Sequence, residues 1–360
     1  MIEFQCCTKI VSGRGAVSAL AQLGAKRLFV VTDPYFMENG FASRVAKEAG
    51  AEETEFFSEV APDPTVALAA RGTAHLQRFG PDAVVALGGG SAMDLAKAMV
   101  YFAGSGAQLV AIPTTSGSGS EVTDFAILTH GGVKHPLVDE KLRPQMAILD
   151  SRLLDTMPAK LVADCGLDVL CHAIEAYTAR NAGAFTDMLA KEAFCTAYAL
   201  LPASYGGRKD VRLRIHNAST MAGLAFTKSG LGLCHAMAHA LGGAFHIPHG
   251  RLNAILLPSV ITCNAYGAGE KYARLAQSAG IGGSAVTMGV RNLKNALVRL
   301  RRELGMPATL TEAGIKPAVV WGRQKELVSA ALADPCCATN PVPVEEFMVR
   351  KVLEEVTGRA

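Results

Sequence analysis

Through the first 150 residues, short runs of aliphatic and β-branched residues alternate with stretches whose apolar positions recur every three or four residues. Arg27-Leu-Phe-Val-Val-Thr32, Ala83-Val-Val-Ala-Leu87, Leu109-Val-Ala-Ile112 and Met146-Ala-Ile-Leu149 read as strands. Between them, Thr65 to Phe79, stopped by Gly80, and a segment opening at Ser91 read as helices. Strands alternating with helices predict a parallel sheet covered on both faces. Phe125-Ala-Ile-Leu128 and Val133 to Val138, parted by Gly131-Gly132, predict a hairpin inserted in that layout. After Asp150 the pattern changes to long helical periodicities, from Ala163 to Arg180, Asp187 to Leu201 and Arg214 to Phe226. The chain is therefore expected to hold an α/β domain over residues 1–154 and an all-α domain over residues 155–360, divided near Leu154-Asp-Thr-Met-Pro158.

Composition narrows the class. Half of the 360 residues are hydrophobic and 19% are charged, enough for two packed cores and too apolar for a disordered chain. A net charge of +3 is small for this length and argues against nucleic acid or another anionic partner. The most basic run, Arg291 to Arg302, carries Leu293, Ala296, Leu297, Leu300 and Leu304 at helical spacing, which predicts a surface helix with a solvated basic face. The start, Met-Ile-Glu-Phe-Gln-Cys-Cys, lacks the basic and apolar regions of a signal peptide. Ser229 to Gly250, the least charged stretch, contains four histidines and reads as buried core rather than a membrane span. Nine cysteines without a CxxC suit free thiols in a reducing cytoplasm.

Two glycine-containing loops carry the first candidate chemistry. Gly88-Gly89-Gly90-Ser91 follows an apolar strand and opens the helix Ala92-Met-Asp-Leu-Ala-Lys-Ala-Met. Backbone without Cβ atoms approaches a pyrophosphate closely, and amides at a helix start face the anion. Ser91 and Asp94 have the spacing of a capping box. The pattern is neither the Rossmann G-x-G-x-x-G, since Met93 stands where the last glycine belongs, nor a P-loop, since no Gly-Lys-Ser/Thr follows. A second loop, Thr114-Thr115-Ser116-Gly117-Ser118-Gly119-Ser120, again follows a strand and offers hydroxyls and amides at the same expected sheet edge. Together they predict a dinucleotide site. Asp33 fits two roles there: an acceptor for the adenosine ribose that repels a 2′-phosphate, or a turn former in Thr32-Asp33-Pro34.

The second candidate is a histidine cluster. His235, His239 and His249 fall within fifteen residues, and upstream stands Asp168-Val-Leu-Cys-His172. Spacing of i,i+4 sets Asp168 with His172, and His235 with His239, on single helix faces. A carboxylate with two or three imidazoles suits Fe(II) or Zn(II) and leaves a position for a substrate oxygen. Gly242-Gly243 is expected to break the helix and, with the turn at Pro248, to let His235 and His249 bracket a cavity walled by Asp168 and His172. Cys171 and Cys234 adjoin two of these residues but point about 100° away on a helix, so neither is counted as a ligand. His235-Ala-Met-Ala-His239 lacks the glutamate of a zinc protease, and His246 reads as a structural loop residue.

In combination, Gly88-Gly-Gly-Ser-Ala-Met-Asp-Leu-Ala-Lys97, Ile112-Pro-Thr-Thr-Ser-Gly-Ser-Gly-Ser-Glu-Val-Thr123, Asp168-(x3)-His172-Ala-Ile-Glu-Ala-Tyr177 and His235-(x3)-His239-(x9)-His249-Gly250 resemble the iron-containing (group III) alcohol dehydrogenases. Phe57 to Thr65, Met146 to Asp150 and His216 to Thr220 resemble in particular its branch of 1-propanol dehydrogenases from propanediol-utilisation systems. The resemblance implies an α/β dinucleotide-binding domain followed by an all-α metal-binding domain, the fold shared with dehydroquinate synthases. It implies metal ligation by Asp168, His172, His235 and His249, with His239 bonding substrate or relaying a proton. NAD(H) is implied along Asp33, Gly88, Gly89, Gly90, Ser91, Thr114, Thr115 and Ser118, with Lys134 near the ribose. The implied reaction interconverts short-chain primary alcohols and aldehydes by hydride exchange at nicotinamide C4. A homodimer or larger homo-oligomer is implied, cytoplasmic or within a bacterial microcompartment, beside an aldehyde-producing enzyme or the shell. A glycerol or diol dehydrogenase of the same fold, and a non-catalytic metal- or nucleotide-binding scaffold, are the alternatives. One departure stands out: the family commonly has Asn-Pro-Arg where this chain has Asn340-Pro341-Val342.

Overall fold

The computed structural model describes residues 4–357. They fall into two compact units, one of residues 5–157 and one that joins Phe4 to the chain from Pro158 onward. The first contains strands β1 (Lys9–Ser12), β2 (Arg27–Thr32), β3 (Glu53–Phe57), β4 (Ala83–Gly88), β5 (Gln108–Pro113), β6 (Phe125–His130), β7 (Val133–Val138) and β8 (Met146–Leu149). Its helices are α1 (Pro34–Glu38), α2 (Phe41–Ala49), α3 (Val66–Phe79) and α4 (Gly90–Ala103).

Six strands form one parallel sheet in the order β1-β8-β5-β4-β2-β3, and β6 pairs with β7 as the antiparallel hairpin the glycine pair predicts. The two-residue side-chain period splits the central strands between two cores. Phe29, Val31, Val84, Ala86, Leu109 and Ala111 pack with α3 and α4, while Leu28, Val30, Val85, Leu87, Val110 and Ile112 pack with α2 on the other face. The connections from β2 and β4 leave in opposite directions along the sheet, so the order reverses between these two strands. Open α/β sheets bind ligands at such a reversal.

β1 and β3 are absent from the sequence-based strand set because both are edge strands. Glu53-Thr-Glu-Phe-Phe57 leaves its first residue exposed and only Phe57 buried, so no apolar run marks it. The expected capping box is also corrected. The helix cap is Gly89, two residues before Ser91, so Ser91 lies inside α4, and Asp94 turns instead to Ser120 and the Ile127 amide.

Among the described residues the second unit holds helices and no strand: α5 (Ala159–Thr178), α6 (Ala184–Tyr205), α7 (Arg212–Ser229), α8 (Leu233–Phe245), α9 (His249–Ser278), α10 (Val286–Glu303), α11 (Pro317–Gly322), α12 (Gln324–Ala333) and α13 (Glu346–Thr357). α5 packs against α6, α7 and α9 and is buried almost throughout its second half. A Cβ at Gly250 would stand 2.1 Å from the Asp164 carbonyl oxygen, so only glycine lets the start of α9 approach α5 this closely. Pro258 interrupts α9 and has no N–H for the Ala254 carbonyl four residues earlier. The guanidinium of Arg301 on α10 donates to that carbonyl at 3.2 Å. Arg301 is therefore buried, and the basic face of α10 is not wholly solvated as the sequence predicts.

Candidate functional site

Asp168, His172 and Glu175 stand at i, i+4 and i+7 on α5, a single inward face. His235 and His239 come from α8 and His249 opens α9. α8 runs unbroken through Gly242-Gly243, contrary to the expected break there, and ends at His246 in the left-handed conformation with φ +54. That single residue turns the chain, and Ile247-Pro248 leads into α9.

Asp168, His172, His235 and His249 each present one potential ligand atom, and these four atoms lie within 4.8 Å of one another. Asp168 Oδ1 is 3.7 Å from His249 Nε2 and 4.0 Å from His235 Nε2, and its Oδ2 is 3.9 Å from His172 Nδ1. These separations are too long for hydrogen bonds. Ligands of one ion with bonds near 2.1 Å stand roughly 3.4 Å apart at a tetrahedral angle and farther at wider ones, so the spacing fits a shared cation. His172 lies between the rings of Phe226 and His235, and its buried Nδ1 has no hydrogen-bond partner among the described residues. Burial holds the His235 imidazole well below its usual pKa, leaving it neutral, and raises that of the Asp168 carboxyl against the pull of His172 and Asn253. Neutral imidazoles beside a carboxylate suit a divalent ion.

Two residues missed by the sequence reading support this set. Glu175 accepts from the backbone amides of Gly232, Cys234 and His235 and from His235 Nδ1 at 2.6 Å. One buried carboxylate thus caps α8 and directs His235 Nε2 toward Asp168. Burial pushes Glu175 up to about 7 while those donors favour its charged form. Asn253, one turn beyond His249, donates to Asp168 Oδ1 at 2.7 Å, and its amide nitrogen lies 3.2 Å from Nε2 of both His235 and His249. The available signal was helical spacing from recognised residues: Glu175 at three after His172, Asn253 at four after His249.

His239 stands beside the four rather than among them. Its ring stacks on His249 at 5.2 Å and 14°, and its Nδ1 bonds Asp334 Oδ2 at 2.8 Å. Cys171 Sγ lies 3.8 Å from His235 Nδ1, the nitrogen that Glu175 already binds.

In the first unit, both loops leave the carboxyl ends of adjacent strands. The Thr114 amide donates to the Gly88 carbonyl, and a Cβ on Gly89 or Gly90 would come within 3.2 Å of Thr115 Oγ1 or 3.3 Å of Ser118 Cβ. A Cβ on Gly88 would lie 2.5 Å from that of Ala92, leaving no room for a side chain. Asp33 does one of its two expected jobs visibly: Oδ1 caps α1 through the Phe36 amide, while Oδ2 faces Gly88. Lys134 lies on the hairpin, and its ammonium pairs with Asp63 at 2.7 Å. The buried Lys97 ammonium donates to Ser120, Thr123 and the Phe125 carbonyl, fastening the second loop to α4.

Residues 7–151 match the family model for iron-containing alcohol dehydrogenase, and residues 162–357 match the model for the C-terminal part of that family. The chain belongs to the iron-containing alcohol dehydrogenases. It is an enzyme of that family, with its fold of an α/β unit followed by a helical one. A 1-propanol dehydrogenase, PduQ, of Salmonella typhimurium is 38% identical, covering 99% of this chain and 100% of the relative. An NADPH-dependent butanol dehydrogenase of Clostridium saccharobutylicum is 36% identical over 98% of this chain and 97% of its own. The solved structure of an iron-containing alcohol dehydrogenase from Thermococcus thioreducens superposes with a TM-score of 0.91 at 34% identity, covering 99% of each chain. Among the described residues, no helix of this iron-containing alcohol dehydrogenase is long and apolar enough to cross a membrane. The Asn-Pro-Val departure also has a structural setting. Asn340 is buried and accepts from the Leu233 amide at the start of α8, while Val342 is buried against Gly267.

Proposed function

We propose that this enzyme interconverts short-chain primary alcohols and aldehydes, 1-propanol and propionaldehyde among them, with NAD(H) and a divalent metal ion. The ion would be held by Asp168, His172, His235 and His249. The observation that carries this reading is their buried convergence, with Glu175 fixing His235 and Asn253 fixing Asp168. The family favours iron(II), and zinc(II) suits the same donors. When bound, such an ion supplies Lewis acidity toward a substrate oxygen, and the nicotinamide exchanges hydride with the carbon that bears it.

The chain's own residues supply the rest. Glu175 keeps the His235 proton on Nδ1 and leaves Nε2 as the ligand atom. His239 bonds the substrate hydroxyl or accepts its proton during oxidation and returns it during reduction. Gly88, Gly89, Gly90, Ser91, Thr114, Thr115 and Ser118 offer backbone amides and hydroxyls to the pyrophosphate, and Asp33 its second oxygen to the adenosine ribose. Lys134 belongs to the ribose side, on the hairpin. The likeness to 1-propanol dehydrogenases supports a homo-oligomeric cytoplasmic enzyme acting beside an aldehyde-producing partner, in a microcompartment.

Anaerobic purification with metal analysis, followed by NADH-dependent reduction of an aldehyde panel, tests the reading. Near-stoichiometric iron or zinc with turnover of propionaldehyde is expected. A metal-loaded protein that turns over nothing in the panel would be the scaffold alternative, and this reading would be wrong.

A further inference from the structure

The carboxylate behind His239 has no part in the metal set, yet it is built into the fold from both sides. Asp334 follows α12, ninety-five residues after His239 in sequence, and is largely buried. Its Oδ1 accepts from the Cys336 amide at 2.9 Å and starts the following turn. Its Oδ2 meets His239 Nδ1 at 2.8 Å. The hydrogen bonds from His239 and Cys336 hold its carboxyl below the ordinary aspartate range against the effect of burial. An ionised carboxylate only accepts, so the proton on His239 sits at Nδ1 and Nε2 keeps its lone pair. Stacking on His249 holds the ring plane beside the candidate ligands.

We propose that Asp334 is the positioning residue for proton transfer in this enzyme, fixing the tautomer and the orientation of His239. This rests on the reaction read above. Oxidation of a primary alcohol by NAD+ moves a hydride from carbon to the coenzyme and a proton from the hydroxyl oxygen. The O–H bond breaks as that proton passes to His239 Nε2, and in aldehyde reduction it travels back while NADH supplies the hydride. Asp334 stabilises the imidazolium formed in between and keeps Nε2 turned to the substrate, without touching substrate itself.

Asp334→Asn is the informative variant. Its Oδ1 still accepts from the Cys336 amide, so the turn is kept. The amide nitrogen placed against His239 Nδ1 now donates, which forces the ring proton onto Nε2. The expected result is kcat lower by about 10- to 100-fold, with KM and bound metal within twofold of the wild type. Asp334→Glu should recover most of the rate. In a His239→Ala background Asp334→Asn should cost nothing further, because the two residues act as a unit. Nitrogen-15 NMR of histidine-labelled, zinc-loaded protein should show His239 protonated at Nδ1 in the wild type and at Nε2 in Asp334→Asn. A kcat within twofold of wild type in Asp334→Asn, loss of metal in step with rate, or additive effects of the two substitutions would overturn the assignment. If the wild type reduces no aldehyde, the reaction has been misread, and an unswitched tautomer in the same spectra separately refutes the role of Asp334.

Discussion

The helical unit and the α/β unit bring chemistry to a point by opposite means. At Asp168, four side chains of narrow chemical type converge from α5, α8 and α9, with Asp168 held by Asn253 and His235 by Glu175. Around Gly88 the same concentration is achieved by leaving side chains out, so that two loops can pack to within one Cβ of each other. A side-chain site fails when one identity changes. A backbone site fails when volume is added, and tolerates most changes of chemistry nearby. Substitutions in the two units should therefore separate cleanly into loss of metal and loss of coenzyme.

The largest effect is expected from His249→Ala. Bound metal should fall below a tenth of the wild-type content and kcat by more than about 100-fold, beyond what a supporting partner costs, while coenzyme affinity stays within twofold. Metal analysis and a fluorescence titration with NADH measure both, and full metal content in this variant would remove His249 from the ligand set.

Glu175→Gln comes next. The amide still fills the space but can no longer accept from every donor that the carboxylate serves. Metal affinity should weaken by roughly 10- to 100-fold, read by competition with a chelator. An unchanged affinity would mean that Glu175 only caps α8.

Lys97 gives the comparison a pH test in the α/β unit. Burial lowers its ammonium to about 8 from an ordinary 10.5. Between those values the unfolded chain holds a proton that the folded one has released, so stability rises with pH across that window. Relative to Lys97→Met, the wild type should gain up to about 3 kcal/mol between pH 8 and 10.5. Urea denaturation at a series of pH values reads the gain, and parallel curves for the two proteins would contradict it.

The smallest effect belongs to Asp33→Gly. Glycine replaces the α1 cap at a cost of only a few tenths of a kcal/mol, so folding should hardly change. What should change is coenzyme choice. The wild type should favour NADH, and the variant should lose at least about tenfold of that preference as a like-charge contact with the 2′-phosphate disappears. The NADPH-dependent relative makes this the point at which the coenzyme reading is most open to refutation. A ratio of kcat/KM for the two coenzymes unmoved by the substitution would leave Asp33 a turn residue alone.

What the sequence disclosed follows the same division. Side chains at helical spacing carry their geometry with them, so the gathering of Asp168 and His172 with His235 and His249 was legible in the sequence. Glu175 was not, because its role depends on α8 arriving from nearly sixty residues away with its amides aimed at α5. Buried parallel strands announced themselves as apolar runs, whereas edge strands β1 and β3 did not, their side chains being shared with solvent. The wrong break at Gly242-Gly243 came from weighing glycine as a breaker, whereas α8 continues through both residues to Phe245. His246 takes the turn at positive φ, a conformation uncommon outside glycine but one that histidine adopts more readily than most residues. Asp334 carried no legible signal, since nothing local in Asp334-Pro-Cys-Cys distinguishes an orienting carboxylate from a turn residue.

Pro258 leaves α9 one backbone hydrogen bond short. His249 and Asn253 ride on the turns before the proline, and the turns beyond it meet α10 at Thr262, Gly269 and Ala273 and α5 through Lys271. The Ala254 carbonyl, left without its amide partner by Pro258, is taken by a side chain from α10, so the turn after Asn253 is tied to a neighbouring helix. Arg301 thus works as a splint at the weakened turn, next to the residue that holds Asp168.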